Sequence, residues 1–198
     1  MNIVQIGTNR AYDNLASIVY QYSPEIITNL ILVEPFSLHN HSIQSCYAKY
    51  IDKLHLENII ISDSDAVTNK LWYHPNDLTH QNAAELASLN KQHSINIRSY
   101  YKEDEVVCLE LPNLTANQLF DKYNLNNIDI LYIDTEGFDD RIIYSINFDK
   151  YYISTIYYEN LHIDRDKLRA FLSQLNYKID INTNNDPYCD LAILGNNI

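Results

Sequence analysis

The chain has 198 residues, of which 46% are hydrophobic and 20% are charged, and its formal net charge is −12. This length and composition fit one globular domain over 1–198 with room for a buried core. Because nucleic-acid and anionic-membrane binding need clustered basic residues, the acidic balance argues against both kinds of partner. No apolar run reaches the roughly 20 residues of a membrane helix. The first residues do not resemble a secretory leader, so we expect a cytoplasmic protein.

The first third of the chain alternates predicted strands and helices. Apolar runs at 2–7, 29–35 and 58–62 predict three buried strands. Between them, apolar residues spaced by three and four predict amphipathic helices over 15–22 and 43–54. This alternation with short connections predicts a parallel sheet covered by helices on both faces.

The middle of the chain is less regular. Residues 63–105 are polar and weakly periodic, and we expect an insertion that forms a lid or a substrate-side wall, with one strand near Lys70–Tyr73. The run at 106–111 predicts another strand. Thr115 and Gln118 then have the spacing of a capping box, which predicts the start of a helix.

The C-terminal part predicts a change of strand direction. Strands are predicted at 129–134 and 154–159, and Asp164 is placed to cap a later helix. The strand-like segments "YKIDI" and "CDLAIL" are separated by only seven residues. Because no crossover helix fits into that space, they predict an antiparallel hairpin. The expected fold is therefore an α/β domain with a mostly parallel sheet that ends in this hairpin.

Polar residues stand at the carboxyl ends of the predicted strands at 2–7, 29–35, 58–62, 129–134 and 154–159. Open parallel sheets bind ligands at the carboxyl ends of their strands, so we expect these residues to line one pocket. In chain order they are Gly7, Thr8, Asn9, Glu34, Ser62, Asp63, Asp134, Glu136, Glu159 and Asn160.

The beginning of this set favours a cofactor that carries a ribose. Gly7 permits close approach of a ligand to the backbone, although an ordinary strand–helix turn would also explain a glycine there. Glu34 is placed to accept hydrogen bonds from ribose hydroxyls. The stretch "GTNRAY" has one glycine where nicotinamide sites need three, which disfavours an oxidoreductase. S-adenosylmethionine, which has a ribose and no pyrophosphate, fits better.

Three segments resemble a known family. "VQIGTN", "LVEP" and "IDILYIDTEGFDDRIIYSI" are similar to the FkbM-type methyltransferases, which have the class I, S-adenosylmethionine-dependent fold. The resemblance covers about 3–160, and 63–105 matches poorly. It implies a three-layer, Rossmann-like domain that methylates hydroxyl oxygens of sugars or small molecules.

The resemblance also implies a set of cofactor contacts. Gly7, Thr8 and Asn9 would line the methionine end, Glu34 the ribose, and Ser62 and Asp63 the adenine. Two positions depart from the family pattern. Gln5 stands where the family usually has an acid that helps to hold the cofactor, and Ala11 stands where a second glycine is usual. These departures leave open a second interpretation, a cofactor-weakened or non-enzymatic protein of the same fold.

The acids after residue 133 are the candidate catalytic groups. Asp134 and Glu136 are two apart, so an extended strand end would point both to the same side. The resemblance implies a sheet order in which this strand lies next to the first strand, with Asp134 close to Gly7. Methyl transfer to an alcohol needs an oriented hydroxyl and an acceptor for its proton. We predict that Asp134 positions the sulfonium or the acceptor, that Glu136 is the base, and that Glu159 is a second acceptor-side group. A divalent cation held by these three acids is an alternative that we do not favour.

The remaining acids and histidines have simpler interpretations. Asp139 and Asp140 are expected to be solvated residues in the first turn of a helix. The seven histidines have no metal-ligand spacing and are expected at the surface, with only His162 near the pocket. The expected partner is a small-molecule or sugar acceptor. Either the 63–105 insertion or a second subunit of a homodimer would close the pocket.

Overall fold

The computed structural model describes residues 1–11, 14–75, 86–96, 102–181 and 187–195. The strands are β1 (Asn2–Ile6), β2 (Asn29–Val33), β3 (Leu54–Glu57), β4 (Ile60–Ser62), β5 (Thr68–Tyr73), β6 (Val107–Thr115), β7 (Asn127–Ile133), β8 (Tyr152–Glu159), β9 (Tyr177–Asp180) and β10 (Cys189–Leu194). The α-helices are α1 (Asn14–Val19), α2 (Asn40–Cys46), α3 (Lys91–Asn96), α4 (Ala116–Lys122), α5 (Asp139–Ser145) and α6 (Arg165–Gln174). Within these ranges, no helix has both the length and the hydropathy needed to cross a membrane.

Seven strands form the main sheet in the order β3-β2-β1-β7-β8-β10-β9. β1 lies parallel to both β2 and β7, while β10 runs antiparallel to both β8 and β9. This confirms the predicted mostly parallel sheet with an antiparallel C-terminal hairpin. The chain moves outward from β1 on one side and from β7 on the other, so strand order reverses between these two central strands. Such a reversal is the usual ligand-binding edge of an open sheet.

The two faces of the sheet bury separate apolar clusters. Alternate residues of a strand point to opposite faces, and in β1 the side chain of Ile3 joins one cluster while Val4 and Ile6 join the other. The first cluster includes residues of α1 and α2, and the second includes residues of α4, α5 and α6. Helices therefore cover both faces, as the alternating pattern predicts.

The third predicted strand does not belong to the main sheet. We expected 58–62 to be the third strand of the main sheet and 43–54 to be one helix. That sheet position is taken by β3, which begins at Leu54, while β4 lies in a separate three-stranded sheet with the order β4-β6-β5. β3 is a half-buried edge strand whose alternation is limited to Leu54 and Leu56. Because Leu54 also fits the helical spacing of the preceding residues, periodicity assigned it to a helix.

The second sheet contains the strand predicted near Lys70–Tyr73, which is β5. β5 pairs antiparallel with β6, the strand predicted at 106–111, and β4 pairs with the other end of β6. The capping box at the end of β6 is confirmed, because the side chains of Thr115 and Gln118 each accept a hydrogen bond from the other residue's backbone N–H. The 63–105 segment therefore contributes the strand β5 to the second sheet.

A buried ion pair fixes the reversed strand β10. Asp190 is fully buried, and Arg169 on α6 donates to both of its oxygens at 2.7 and 3.0 Å. The hydroxyl of Tyr158 and the amide of Asn160 donate to the same carboxylate. Asn160, predicted at the pocket mouth, thus belongs to this network.

Removing the Arg169 charge should destabilise the fold. In Arg169→Met the aliphatic stem is kept while Asp190 stays buried without its cation, so we expect the free energy of unfolding to fall by about 3 kcal/mol. Urea denaturation followed by circular dichroism measures it. Lys178→Met, at an exposed position on β9, is the control and should change stability by less than about 0.5 kcal/mol. Equal stabilities for the two variants would contradict this role of Arg169.

Candidate functional site

The carboxyl ends of β1 and β7 touch at Gly7. Gly7 has φ +84°, and a Cβ there would lie 1.7 Å from the backbone oxygen of Asp134. The Asp134 N–H also donates to the Ile6 carbonyl at 2.9 Å. Only glycine fits such a contact, and the expected proximity of Gly7 and Asp134 is present.

Glu34 holds the loop that follows β1. Its Oε2 accepts from the backbone N–H of Asn9 at 2.7 Å, and its Oε1 accepts from the N–H of Phe36 at 2.8 Å. The side chain is 5% exposed. Burial raises the pKa of Glu34 to about 7, against the lowering effect of the two backbone hydrogen bonds. Glu34 therefore changes its ionisation near neutral pH.

A cavity of about 290 Å³ opens at this edge of the sheet. Its polar wall includes Arg10 and Thr135, together with six residues that the sequence predicted: Gly7, Thr8, Asn9, Glu34, Asp134 and Glu136. Its apolar wall includes Phe36, Ile60 and Leu71, which also pack together as a small buried cluster. Leu71, Ala87 and Leu89 come from the 63–105 segment. That segment therefore forms part of the cavity wall.

Three predicted cofactor residues do not line the cavity. Gln5 is fully buried in β1. The Ser62 hydroxyl accepts a hydrogen bond from the Ser64 N–H, and Asp63 accepts two from Arg141. Ser62 and Asp63 were placed at the mouth of a third sheet strand, but β4 belongs to the second sheet, and the preceding Ile59–Ile61 face the cavity.

Phe36 and Leu71 were missed by the sequence analysis. Phe36 follows Glu34 by two residues, and its ring packs edge-to-face on Tyr73 of β5. An aromatic residue directly after the Glu-Pro pair was the available signal. No local pattern could assign Leu71, because it reaches the cavity through the pairing of a second sheet.

Ala11 has a backbone conformation that glycine adopts more easily than other residues. It has φ +60°, a left-handed conformation that costs an L-residue about 1–2 kcal/mol. Its methyl group is buried in the apolar cluster on the α1 and α2 face and does not line the cavity.

The acids after β7 meet through a turn. Glu136 has φ +52° and Gly137 has φ +85°, so the predicted extended geometry is wrong, and both residues adopt left-handed conformations. The turn still brings Asp134, Glu136 and Glu159 together, with one carboxylate oxygen of each within 4.8 Å of the others. A non-glycine residue in such a conformation stores strain, which is typical of functional sites.

Asp139 is a structural anchor that was wrongly predicted to be solvated. It is fully buried, and its Oδ2 accepts from the N–H and the hydroxyl of Thr135 at 3.1 and 2.7 Å. Its Oδ1 accepts from the Glu159 N–H at 3.2 Å. Burial raises the pKa of Asp139 to about 6, although these bonds favour its ionised form. Asp139 thus links the segments that carry all three clustered acids.

Two histidines lie beside Glu136. His93 Nε2 is 3.4 Å and His162 Nε2 is 4.0 Å from Glu136 Oε2. His162 is near the pocket as predicted, whereas His93 was not expected there. Burial lowers the pKa of both imidazoles, and His93 lowers that of His162 further. His39 and His74 are buried, so their predicted surface positions are wrong.

A family model for the methyltransferase FkbM domain matches residues 5–179. The chain belongs to this family. A crystal structure of methyltransferase FkbM from Methylobacillus flagellatus KT is similar with a TM-score of 0.54 at 12% sequence identity. The alignment covers 97% of this chain and 43% of that chain, so the present chain spans less than half of that protein. No curated protein matches the sequence.

The FkbM assignment agrees with the predicted resemblance and with the fold. The matched range contains the Gly7 turn, Glu34, the acid cluster and the segment 63–105 that looked dissimilar. At this level of identity the structural neighbour supports the fold alone. The chemistry of the site has to be argued from its residues.

We expect Asp139→Asn to destabilise the domain at about pH 7.5, where Asp139 is ionised. The variant amide presents an NH₂ to one of the donors from Thr135 or Glu159, so the free energy of unfolding should fall by about 1–3 kcal/mol. Chemical denaturation measures the change. Asp140→Asn, next to it and partly exposed, is the matched control and should be nearly neutral. If both variants had wild-type stability, Asp139 would not be an anchor.

Proposed function

We propose that this FkbM domain is an S-adenosylmethionine-dependent methyltransferase that methylates a hydroxyl oxygen of a sugar or another small molecule. One observation carries the proposal. A single cavity at the reversal of strand order contains Gly7, Glu34 and Asp134, and the carboxylates of Glu136 and Glu159 lie next to Asp134.

The residues of the cavity fit the cofactor. Both oxygens of Glu34 accept one backbone hydrogen bond, and each keeps a second lone pair for a ribose hydroxyl. Phe36, Ile60 and Leu71 provide an apolar wall suited to a flat base. The volume of about 290 Å³ lies near the lower end of small-molecule sites, about 300–1,000 Å³. When bound, S-adenosylmethionine supplies an electrophilic methyl group on a sulfonium.

The acids suit the acceptor side of the reaction. Asp134 lines the cavity, and a carboxylate there can orient a sulfonium or a hydroxyl. Glu136 is held in a left-handed turn, and its carboxylate can take the proton of an acceptor hydroxyl. Neighbouring carboxylates also accept hydrogen bonds from adjacent hydroxyls, which favours a sugar or another polyhydroxy acceptor.

The alternative is a domain that has lost cofactor binding. Its sequence basis was Gln5 and Ala11, yet neither side chain lines the cavity and Ala11 keeps a glycine-like φ. Calorimetric titration with S-adenosylhomocysteine separates the two functions. Saturable heat supports the methyltransferase, and no heat up to about 1 mM ligand supports the alternative.

We expect the affinity for S-adenosylhomocysteine to rise as the pH increases from about 6 to about 8. The pKa of Glu34 is about 7 in the free protein. Ribose hydroxyls donate to its ionised form, so below this pKa binding must also remove a proton. In Glu34→Ala the binding free energy for S-adenosylhomocysteine should weaken by about 1–3 kcal/mol at high pH. The increase of affinity with pH should disappear.

Calorimetry at several pH values checks this expectation. The control is Glu25→Ala, which replaces an exposed glutamate between α1 and β2. It should keep both the affinity for S-adenosylhomocysteine and the pH dependence of that affinity. An unchanged affinity in Glu34→Ala would remove the ribose assignment.

Glu136→Gln should lower turnover far more than cofactor affinity. The amide keeps the shape of the side chain but cannot accept the hydroxyl proton, so a loss of about 10²–10⁴-fold in turnover is expected. Transfer of a labelled methyl group from S-adenosylmethionine to a panel of monosaccharides and small alcohols measures turnover. Glu110→Gln at an exposed position of β6 is the control. Wild-type turnover in Glu136→Gln would exclude Glu136 as the base.

A further inference from the structure

Two imidazoles and a carboxylate converge beside the cavity. Ring nitrogens of His93 and His162 and a carboxylate oxygen of Glu136 all lie within 4.8 Å of one another. The two rings are also in edge-to-face contact, with centroids 4.5 Å apart. Glu136 is at the same time a member of the Asp134 and Glu159 cluster, so it joins two sets of potential ligands.

The separations match those around a single metal ion. Ligand atoms that each lie about 2.1 Å from one cation are about 3–4 Å from each other. The distances from Glu136 Oε2 to the Nε2 atoms of His93 and His162 are 3.4 and 4.0 Å. Small side-chain rotations would therefore bring all three ligand atoms to bonding distance from a single cation.

His93 has a ring nitrogen that needs a partner. Its Nε2 is buried and makes no hydrogen bond to any part of the chain that the structure describes. Its 3.4 Å approach to Glu136 lacks hydrogen-bond geometry. Buried polar atoms in folded proteins nearly always have a partner, and a cation would supply one here.

The surrounding backbone brings the two histidines together. A Cβ on Gly137 would lie 3.1 Å from the Cβ of His162 and 3.6 Å from the Nδ1 of His93, so glycine leaves room for both rings. The Ser88 hydroxyl donates to the Glu136 carbonyl at 2.8 Å. The Asn90 side chain accepts from the backbone N–H of His93 and fixes the start of α3.

We propose that His93, Glu136 and His162 bind a divalent transition-metal cation, with Asp134 and Glu159 as additional oxygen ligands. Mixed imidazole and carboxylate ligands suit Zn²⁺, Mn²⁺ or Fe²⁺, whereas Mg²⁺ prefers oxygen alone. Binding of the cation does not depend on the proposed methyltransferase function, but its use in catalysis does. Because Glu136 lines the cavity, a cation there would lower the pKa of an acceptor hydroxyl that reaches it.

The experiment uses the full chain after treatment with a chelator. Mn²⁺ is titrated and followed by the loss of the free-ion electron paramagnetic resonance signal, and Zn²⁺ is titrated by calorimetry. We expect one ion per chain for at least one of the two metals. His93→Asn and His162→Asn should each weaken binding at least about tenfold, and the double variant should abolish it.

His41→Asn, at an exposed position, is the matched control and should bind the ion like the wild-type protein. Circular dichroism verifies that each variant is folded. No binding of either ion by the folded wild-type chain overturns the proposal. Wild-type affinity in both histidine variants also overturns it, because the ion would then lie on the carboxylates alone.

Titration of the same samples with S-adenosylhomocysteine separates this proposal from the previous one. Metal binding without S-adenosylhomocysteine binding would contradict only the methyltransferase proposal. S-adenosylhomocysteine binding without metal binding would contradict only the cation site.

Discussion

The close contact between Gly7 and the Asp134 carbonyl is the constraint on which the site depends. It sets the carboxyl ends of the two central strands against each other, where strand order reverses. No side chain can enter this contact, so the backbone itself defines the floor of the cavity. The residues after β7 and the loop after β1 consequently line the same cavity.

Two buried carboxylates maintain the shape of the site around that contact. Glu34 accepts N–H groups from the loop after β1 and from its own strand end. Asp139 accepts from Thr135 and from the end of β8. Each therefore joins two strand ends through backbone donors. The less buried Asp134, Glu136 and Glu159 are left facing the cavity or one another, which divides the acids into those that shape the site and those available for chemistry.

The sequence was informative wherever a structural feature depends on neighbouring residues. The alternation of strands and helices, the capping box at Thr115 and the C-terminal hairpin are local patterns, and all three are present. β3 was missed because its alternation is short and Leu54 also fits the helical spacing of the preceding residues. The burial of Asp139 and the position of His93 beside Glu136 depend on contacts between distant segments, which no spacing in the sequence reveals. The roles of Gly7, Glu34 and Glu136 came from a family resemblance and from position at strand ends, and they remain proposals.

The reversed strand β10 has a consequence for how the chain is made. β8 lies between β7 and β10 in the sheet, but β10 comes last in chain order among the strands that the structure describes. During synthesis, the outer hydrogen-bonding edge of β8 is therefore uncovered until residues 189–194 have left the ribosome. An unpaired, apolar strand edge can pair with other chains. The nascent domain therefore exposes an edge that is prone to aggregation until β10 pairs with β8.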